Sequence, residues 1–222
     1  MSLTQENFSE RLLRVYNDAA LTLMISVGHQ VGLFAAMRGM APATSAEISV
    51  ASGLNERYVR EWLGSMVTSG VVIVDEGRYH LPDEHAACLT GPDSMAGPSQ
   101  YIAEMGRVEQ SVVECFRNGG GVPYEKYPRF HDIMAEDSAQ FVAGALEEHI
   151  LPLVPGLVER LRSGIRVVDV GCGRGMTMAR LAEMFPSSTF VGVDFSVDAI
   201  GFAQANARSS NVSYRAEDAA AP

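Results

Sequence analysis

The chain has 222 residues, with 27 acidic side chains against 17 basic ones and a formal net charge of −10. Hydrophobic residues make up 47% and charged ones 20%, which is the balance of a globular protein with a sizeable core. That excess of acid speaks against broad contact with a phosphate backbone unless base is gathered in one place.

The sequence holds no internal repeat and no low-complexity tract. Its three cysteines, Cys88, Cys115 and Cys172, are scattered without a C-x-x-C pair. That spacing argues against a disulfide framework or a metal site and suits a reducing cytoplasm. The N-terminus lacks the basic stretch, short apolar core and cleavage site of a signal peptide.

Residues 7–38 read as mainly helical. The most apolar stretch, Ala19 to Met37, is broken by Ser26, Gly28, His29, Gln30 and Gly32 and bounded by Asp18 and Arg38. It therefore reads as a buried helix pair or an interface helix and not as a membrane span. His29 reads as a hydrogen-bonded core residue. After a break at Met40–Ala43, Thr44-Ser45-Ala46-Glu47 has the capping-box pattern and predicts a short helix to about Ala51. Asn55 is expected to cap a second helix carrying Tyr58, Val59, Trp62, Leu63 and Met66 toward a core, with Gly70 stopping it. Two β-prone runs, Val71–Val74 and Arg78–Leu81, flank Asp75-Glu76-Gly77 and predict a hairpin.

Helix, turn, helix, hairpin is the order of a winged helix-turn-helix. The charges argue against nucleic acid as its partner. Residues 1–90 contain six arginines and no lysine against ten acids, and Arg57 and Arg60 are matched by Glu56 and Glu61 on the second helix. The hairpin tip carries Asp75 and Glu76, where a DNA-binding wing carries base.

Residues 91–162 form a connecting segment. A helix is expected from about Ser99 to Phe116, and two more near 132–149 and 153–162. The loop Gly119–Pro123 continues through Tyr124, Tyr127, Pro128 and Phe130. Tyr124 and Tyr127 either wall a substrate pocket or pack a seam between domains.

Residues 165–175 read Ile-Arg-Val-Val-Asp-Val-Gly-Cys-Gly-Arg-Gly. An apolar strand ends in Asp169 and a turn with Gly171, Gly173 and Gly175. A helix follows, with Met178, Leu181, Ala182 and Phe185 on one face. Such a turn lets backbone press against a ligand at the carboxyl end of a parallel strand. The spacing fails the dinucleotide pattern G-x-G-x-x-G, because Met176 stands where the third glycine belongs. Phe190–Asp194 reads as a second strand ending in an acid suited to ribose hydroxyls. Ser196 is expected to cap the next helix, and Asn211–Arg215 reads as a third strand.

The run Asp-x-Gly-x-Gly-x-Gly resembles motif I of the class I S-adenosylmethionine-dependent methyltransferases, closely over residues 150–222. The resemblance implies a mostly α winged helix-turn-helix domain at 1–90, used for dimerisation, followed by a helical segment at 91–162. An α/β Rossmann-like methyltransferase domain begins at 163. The implied cofactor is S-adenosyl-L-methionine. Its methionine part would lie on Gly171, Cys172, Gly173 and Gly175 with Asp169 near the amino group. Its ribose would lie on Asp194 beside Phe195, and its adenine on Asp218 beside the Ala219 backbone. A small-molecule acceptor and a homodimer through the N-terminal helices are implied too. A general base is optional, and His131 and His149 are the available imidazoles. Cys172 reads as a small loop residue and not as a nucleophile.

A class I sheet has seven strands in the order 3-2-1-4-5-7-6, and only strands 1–3 are visible before Pro222. The chain is therefore expected to be a truncated, inactive portion of a longer enzyme. Two other readings remain open. One is a ligand-sensing winged-helix transcriptional regulator, and the other is a non-catalytic interaction protein that keeps the fold.

Overall fold

The computed structural model describes residues 5–91 and 94–219. The chain divides into two compact units, Met1–Tyr127 and Pro128–Pro222.

In the first unit, α1 (Gln5–Gln30) ends where Gly32 takes a left-handed φ of 73°, and α2 (Leu33–Met37) follows. The chain then enters α3 (Ser45–Ser52) through the expected capping box. The Glu47 N–H donates to Thr44 Oγ1, and the Thr44 N–H donates to Glu47 Oε2. The Thr44 N–H and the Thr44 hydroxyl both donate to Glu47 Oε2, and with Arg78 nearby they lower the Glu47 carboxyl from its ordinary value. Asn55 caps α4 (Glu56–Thr68) by accepting the Arg57 N–H at 3.1 Å. Strands β1 (Ile73–Asp75) and β2 (Arg78–His80) pair antiparallel across Glu76 and Gly77, both with positive φ as a tight hairpin requires. Ala43 pairs with Tyr79, and Arg78 Nε donates to the Pro42 carbonyl, so the hairpin is tied to the entry of α3. The helix α5 (Asp83–Leu89) was not read from the sequence; Pro82 followed by two acids in its first turn is the signal for it. A single 3₁₀ turn, Gly97–Ser99, leads into α6 (Gln100–Asn118), which packs on α1.

The core of this unit gathers Leu33, Phe34, Ile48, Val59, Trp62, Leu63 and Met66. On α4, Val59, Trp62, Leu63 and Met66 fall at i, i+3, i+4 and i+7. Tyr58 lies off that stripe and is 74% exposed, so the expectation that it faces the core is corrected.

In the second unit, α7 (Phe130–Asp137) runs into π-helical turns at Ser138–Ala143 and Leu146–Ile150, where one regular helix was expected. Then come α8 (Leu157–Ser163), β3 (Arg166–Val170), α9 (Met176–Met184), β4 (Thr189–Asp194), α10 (Val197–Ala205) and β5 (Val212–Ala216). The three strands form a parallel sheet in the order β3-β4-β5. That order agrees with the 1–2–3 side of the expected sheet.

Met178, Leu181, Ala182 and Phe185 are buried as their spacing predicts, against Phe190, Ile200, Ala203 and Tyr214. Each such large apolar side chain contributes roughly 1.5–3 kcal/mol on burial. Asn211 fastens the far end, its amide donating to the carbonyls of Ala182, Phe185 and Ser188. On β3 the side chains alternate in burial, and Val168 and Val170 are exposed. Among the described residues no helix is long and apolar enough to cross a membrane.

Candidate functional site

Asp169, the glycine loop and Asp194 come together at the carboxyl ends of the strands. Parallel register aligns Asp169 with Gly192 and Gly192 with Tyr214, so the three form one row across the sheet. The loop after β3 is anchored at its start, where the N–H groups of Gly171 and Cys172 both donate to the Val193 carbonyl, at 2.8 and 3.1 Å. It is held in the middle by Asp194, whose Oδ2 accepts the Gly173 N–H at 2.8 Å. Asp194 Oδ1 accepts the Ser196 N–H at 2.8 Å. Ser196 in turn caps α10 by accepting the Ala199 N–H. Each carboxylate oxygen keeps a further lone pair for a ligand hydroxyl.

Gly171 and Gly173 have φ of 83° and 52°, and a Cβ on either would meet nothing within 4 Å. Their backbone is thus open to a ligand. Asp169 is half-buried. Burial first, and the Asp194 charge second, push its carboxyl above the ordinary value of 3.8. The Cys172 thiol is pushed up to about 12, by burial and then by the charges of Asp169 and Asp194. A thiol in that state is a poor nucleophile at neutral pH.

Of the two imidazoles, His131 stands at this end of the sheet, with Nε2 3.1 Å from Ser196 Oγ. His149 is exposed on the π-helical stretch Leu146–Ile150. Beside His131, Asp132 pairs with Arg174 of the glycine loop, and the Arg174 guanidinium lies 4.4 Å from the centre of the Phe202 ring. The first turn of α7 is therefore tied to the entries of both α9 and α10, a link the sequence did not announce. Phe195 is exposed beside the end of β4, and Asp218 and Ala219 are exposed just beyond β5. Tyr124 and Tyr127 lie in the first unit, Tyr124 exposed in the 3₁₀ turn Tyr124–Lys126 and Tyr127 half-buried. Tyr214 and Gly192 were passed over in the sequence, although a lone glycine inside a strand marks close approach of another group.

Residues 19–91 match a family described as the Rv2258c-like winged HTH domain, and residues 161–221 match one described as a methyltransferase domain. The chain therefore carries a winged helix-turn-helix followed by a methyltransferase fold with a three-stranded parallel sheet. It is 28% identical over 111 residues to malonyl-[acyl-carrier protein] O-methyltransferase of Bacillus cereus. That stretch is 50% of this chain and 36% of the relative's length. Human N-acetylserotonin methyltransferase, solved in complex with SAM, superposes with a TM-score of 0.64 at 17% identity, over 98% of this chain and 67% of that one. Mitomycin 7-O-methyltransferase superposes with a TM-score of 0.65 at 17% identity, over 96% and 67%. At these identities the likeness to the solved structures establishes the fold.

Proposed function

We propose that the chain serves S-adenosylmethionine-dependent methyl transfer to a small-molecule acceptor. The observation that carries this reading is the open glycine backbone at 171 and 173, flanked by two carboxylates, Asp169 and Asp194. Asp169 is raised first by burial and second by the Asp194 charge, and a ligand with an ammonium and a sulfonium offsets both by favouring the charged carboxylate. A dinucleotide would bring a pyrophosphate against the same two acids, which fits neither the charge nor the glycine spacing.

In this reading Asp169 receives the amino group of the methionine moiety, and the loop backbone from Gly171 to Gly173 lies along that moiety. Asp194 takes the ribose hydroxyls, and Asp218 with the Ala219 backbone takes the adenine edge. The cofactor, when bound, supplies an already activated methyl group on a sulfonium. What the protein adds is alignment of the acceptor and exclusion of water. His131 is the imidazole placed to take up an acceptor proton, where the acceptor needs a base. Calorimetry on the chain is expected to register binding of S-adenosylmethionine or S-adenosylhomocysteine and none of NAD. Tight NAD binding would overturn the assignment.

The raised Asp169 carboxyl sets a pH dependence. Its proton competes with the ligand ammonium for the same oxygens. Affinity for S-adenosylhomocysteine should therefore fall on acidification, the decline starting above pH 3.8, the ordinary Asp value. Asp169→Asn should bind more weakly at neutral pH and lose this slope. A slope that persists in Asp169→Asn would assign the effect to another group.

For the first unit we propose a homodimer interface. On α1, Leu13, Val15 and Tyr16 are exposed, and on α6 so are Ile102, Met105 and Phe116. So much apolar surface on two packed helices is more than a monomer normally leaves open. Sedimentation of the 222-residue chain should give a dimer, and Leu13→Glu with Tyr16→Glu should give a monomer of unchanged helix content. A wild-type monomer at high concentration would count against this interface.

A further inference from the structure

We infer that Tyr214 is a positioning residue for the glycine loop, and that the space beside the third glycine of the motif, Gly175, is taken by Tyr214 and not by a ligand, while the left-handed φ of 73° there favours glycine on its own account. The inference rests on the cofactor reading of the same site. The three glycines differ in what surrounds them. Gly171 and Gly173 face open space. A Cβ on Gly175 would lie 2.3 Å from Tyr214 Cε1, 2.7 Å from Cζ and 2.8 Å from the hydroxyl. Such distances are far inside van der Waals contact, so the Tyr214 ring occupies the place of the missing side chain. Gly192 also makes room for the ring, since a Cβ there would lie 2.7 Å from Tyr214 Cδ1 and equally 2.7 Å from Cys172 Sγ.

The ring thus crosses from β5 over β4 to the start of α9 through a channel that only two glycines leave open. At its end the hydroxyl donates to the Gly175 carbonyl at 3.1 Å. The same carbonyl accepts the Ala179 N–H, the first bond of the α9 helix. Tyr214 is 6% exposed, and burial, with Cys172 and Asp169 nearby, pushes its phenol up to about 12. The phenol stays protonated at neutral pH and remains a donor.

Besides the Arg174–Asp132 ion pair, the loop backbone therefore has three fixed points: the Val193 carbonyl at its start, the Asp194 carboxylate in its middle and Tyr214 at its end. Of the two side chains among them, Asp194 is also placed to meet the ligand, whereas Tyr214 acts only through the backbone of Gly175. Its work is to keep residues 171–175 in the bound geometry before anything binds, which lowers the ordering cost of binding.

The test compares Tyr214→Phe and Tyr214→Leu with the wild type. Phenylalanine keeps the ring in its channel and removes only the hydroxyl. It should leave the thermal midpoint nearly unchanged, speed amide exchange at 171–176, and weaken S-adenosylhomocysteine binding about fivefold, the usual scale for one neutral hydrogen bond. Leucine leaves the channel partly empty and should weaken binding much more, with phenylalanine restoring most of the loss. Wild-type exchange at 171–176 in Tyr214→Phe would overturn the inference. Failure of the wild type to bind S-adenosylhomocysteine would overturn the cofactor reading instead. The exchange rates, measured without ligand, would then still decide the role of Tyr214.

Discussion

Trp62→Ala is expected to cost the first unit about 3–5 kcal/mol, the range for truncating a large buried aromatic. Trp62 does three things at once. Its indole packs edge-to-face with Phe34 at 5.2 Å between ring centres. Its Nε1–H donates to the Met24 carbonyl of α1 at 2.8 Å. Its ring also fills the face of Gly28, where a Cβ would lie 2.5 Å from Cζ2. Alanine would open a cavity among α1, α2 and α4 and remove the bond between two of them. Because Trp62 is the sole tryptophan, the loss is read by circular dichroism and not by fluorescence. A change below about 1 kcal/mol would mean the core closes over the gap. The reciprocal variant carries an inverted sign. Gly→Ala inside a helix normally stabilises by up to about 1 kcal/mol, but Gly28→Ala should destabilise, because its methyl group collides with the indole.

The winged-helix elements were legible because their signals are local. Thr44 and Glu47 spell a capping box, Asn55 a cap, and Glu76-Gly77 a tight turn, and each is satisfied within a few residues of chain. The stripe Met178, Leu181, Ala182 and Phe185 was legible for the same reason, since one helix face needs no knowledge of the rest of the fold. The site was legible as far as residue type and position in a βα turn carry it. What the sequence withheld is the work done across distance. Arg174 pairs with Asp132, His131 with Ser196, and Tyr214 with Gly175, at separations of 42, 65 and 39 residues. Nothing in local periodicity announces such pairs. The misplacement of Tyr58 has another cause. Residues 58 and 59 are one step apart on a helix, about 100° of rotation, and both read as apolar, so composition alone could not choose which edge of the stripe is dry.

Asp194→Ala is expected to weaken S-adenosylhomocysteine binding more than a hundredfold, roughly 3 kcal/mol. The carboxylate accepts the Gly173 N–H through Oδ2 and the Ser196 N–H through Oδ1. Removing it frees the middle of the loop and the entry of α10 together, and takes away the proposed ribose contacts as well. Asp194→Asn separates these effects. Its amide has one acceptor oxygen and one donor nitrogen, so it can hold one of the two N–H groups while its NH₂ faces the other, donor against donor. Asparagine should therefore fall between wild type and alanine in affinity. It should also remove the negative charge that helps hold Asp169 up, so the Asp169 titration, followed by carboxyl NMR, should move down toward its ordinary value while the contribution of burial remains. An unchanged affinity in Asp194→Asn would show that the carboxylate braces the loop without meeting the ligand. An unmoved Asp169 titration would show that the two acids are not electrostatically coupled, and would leave burial alone as the cause of the raised Asp169 carboxyl.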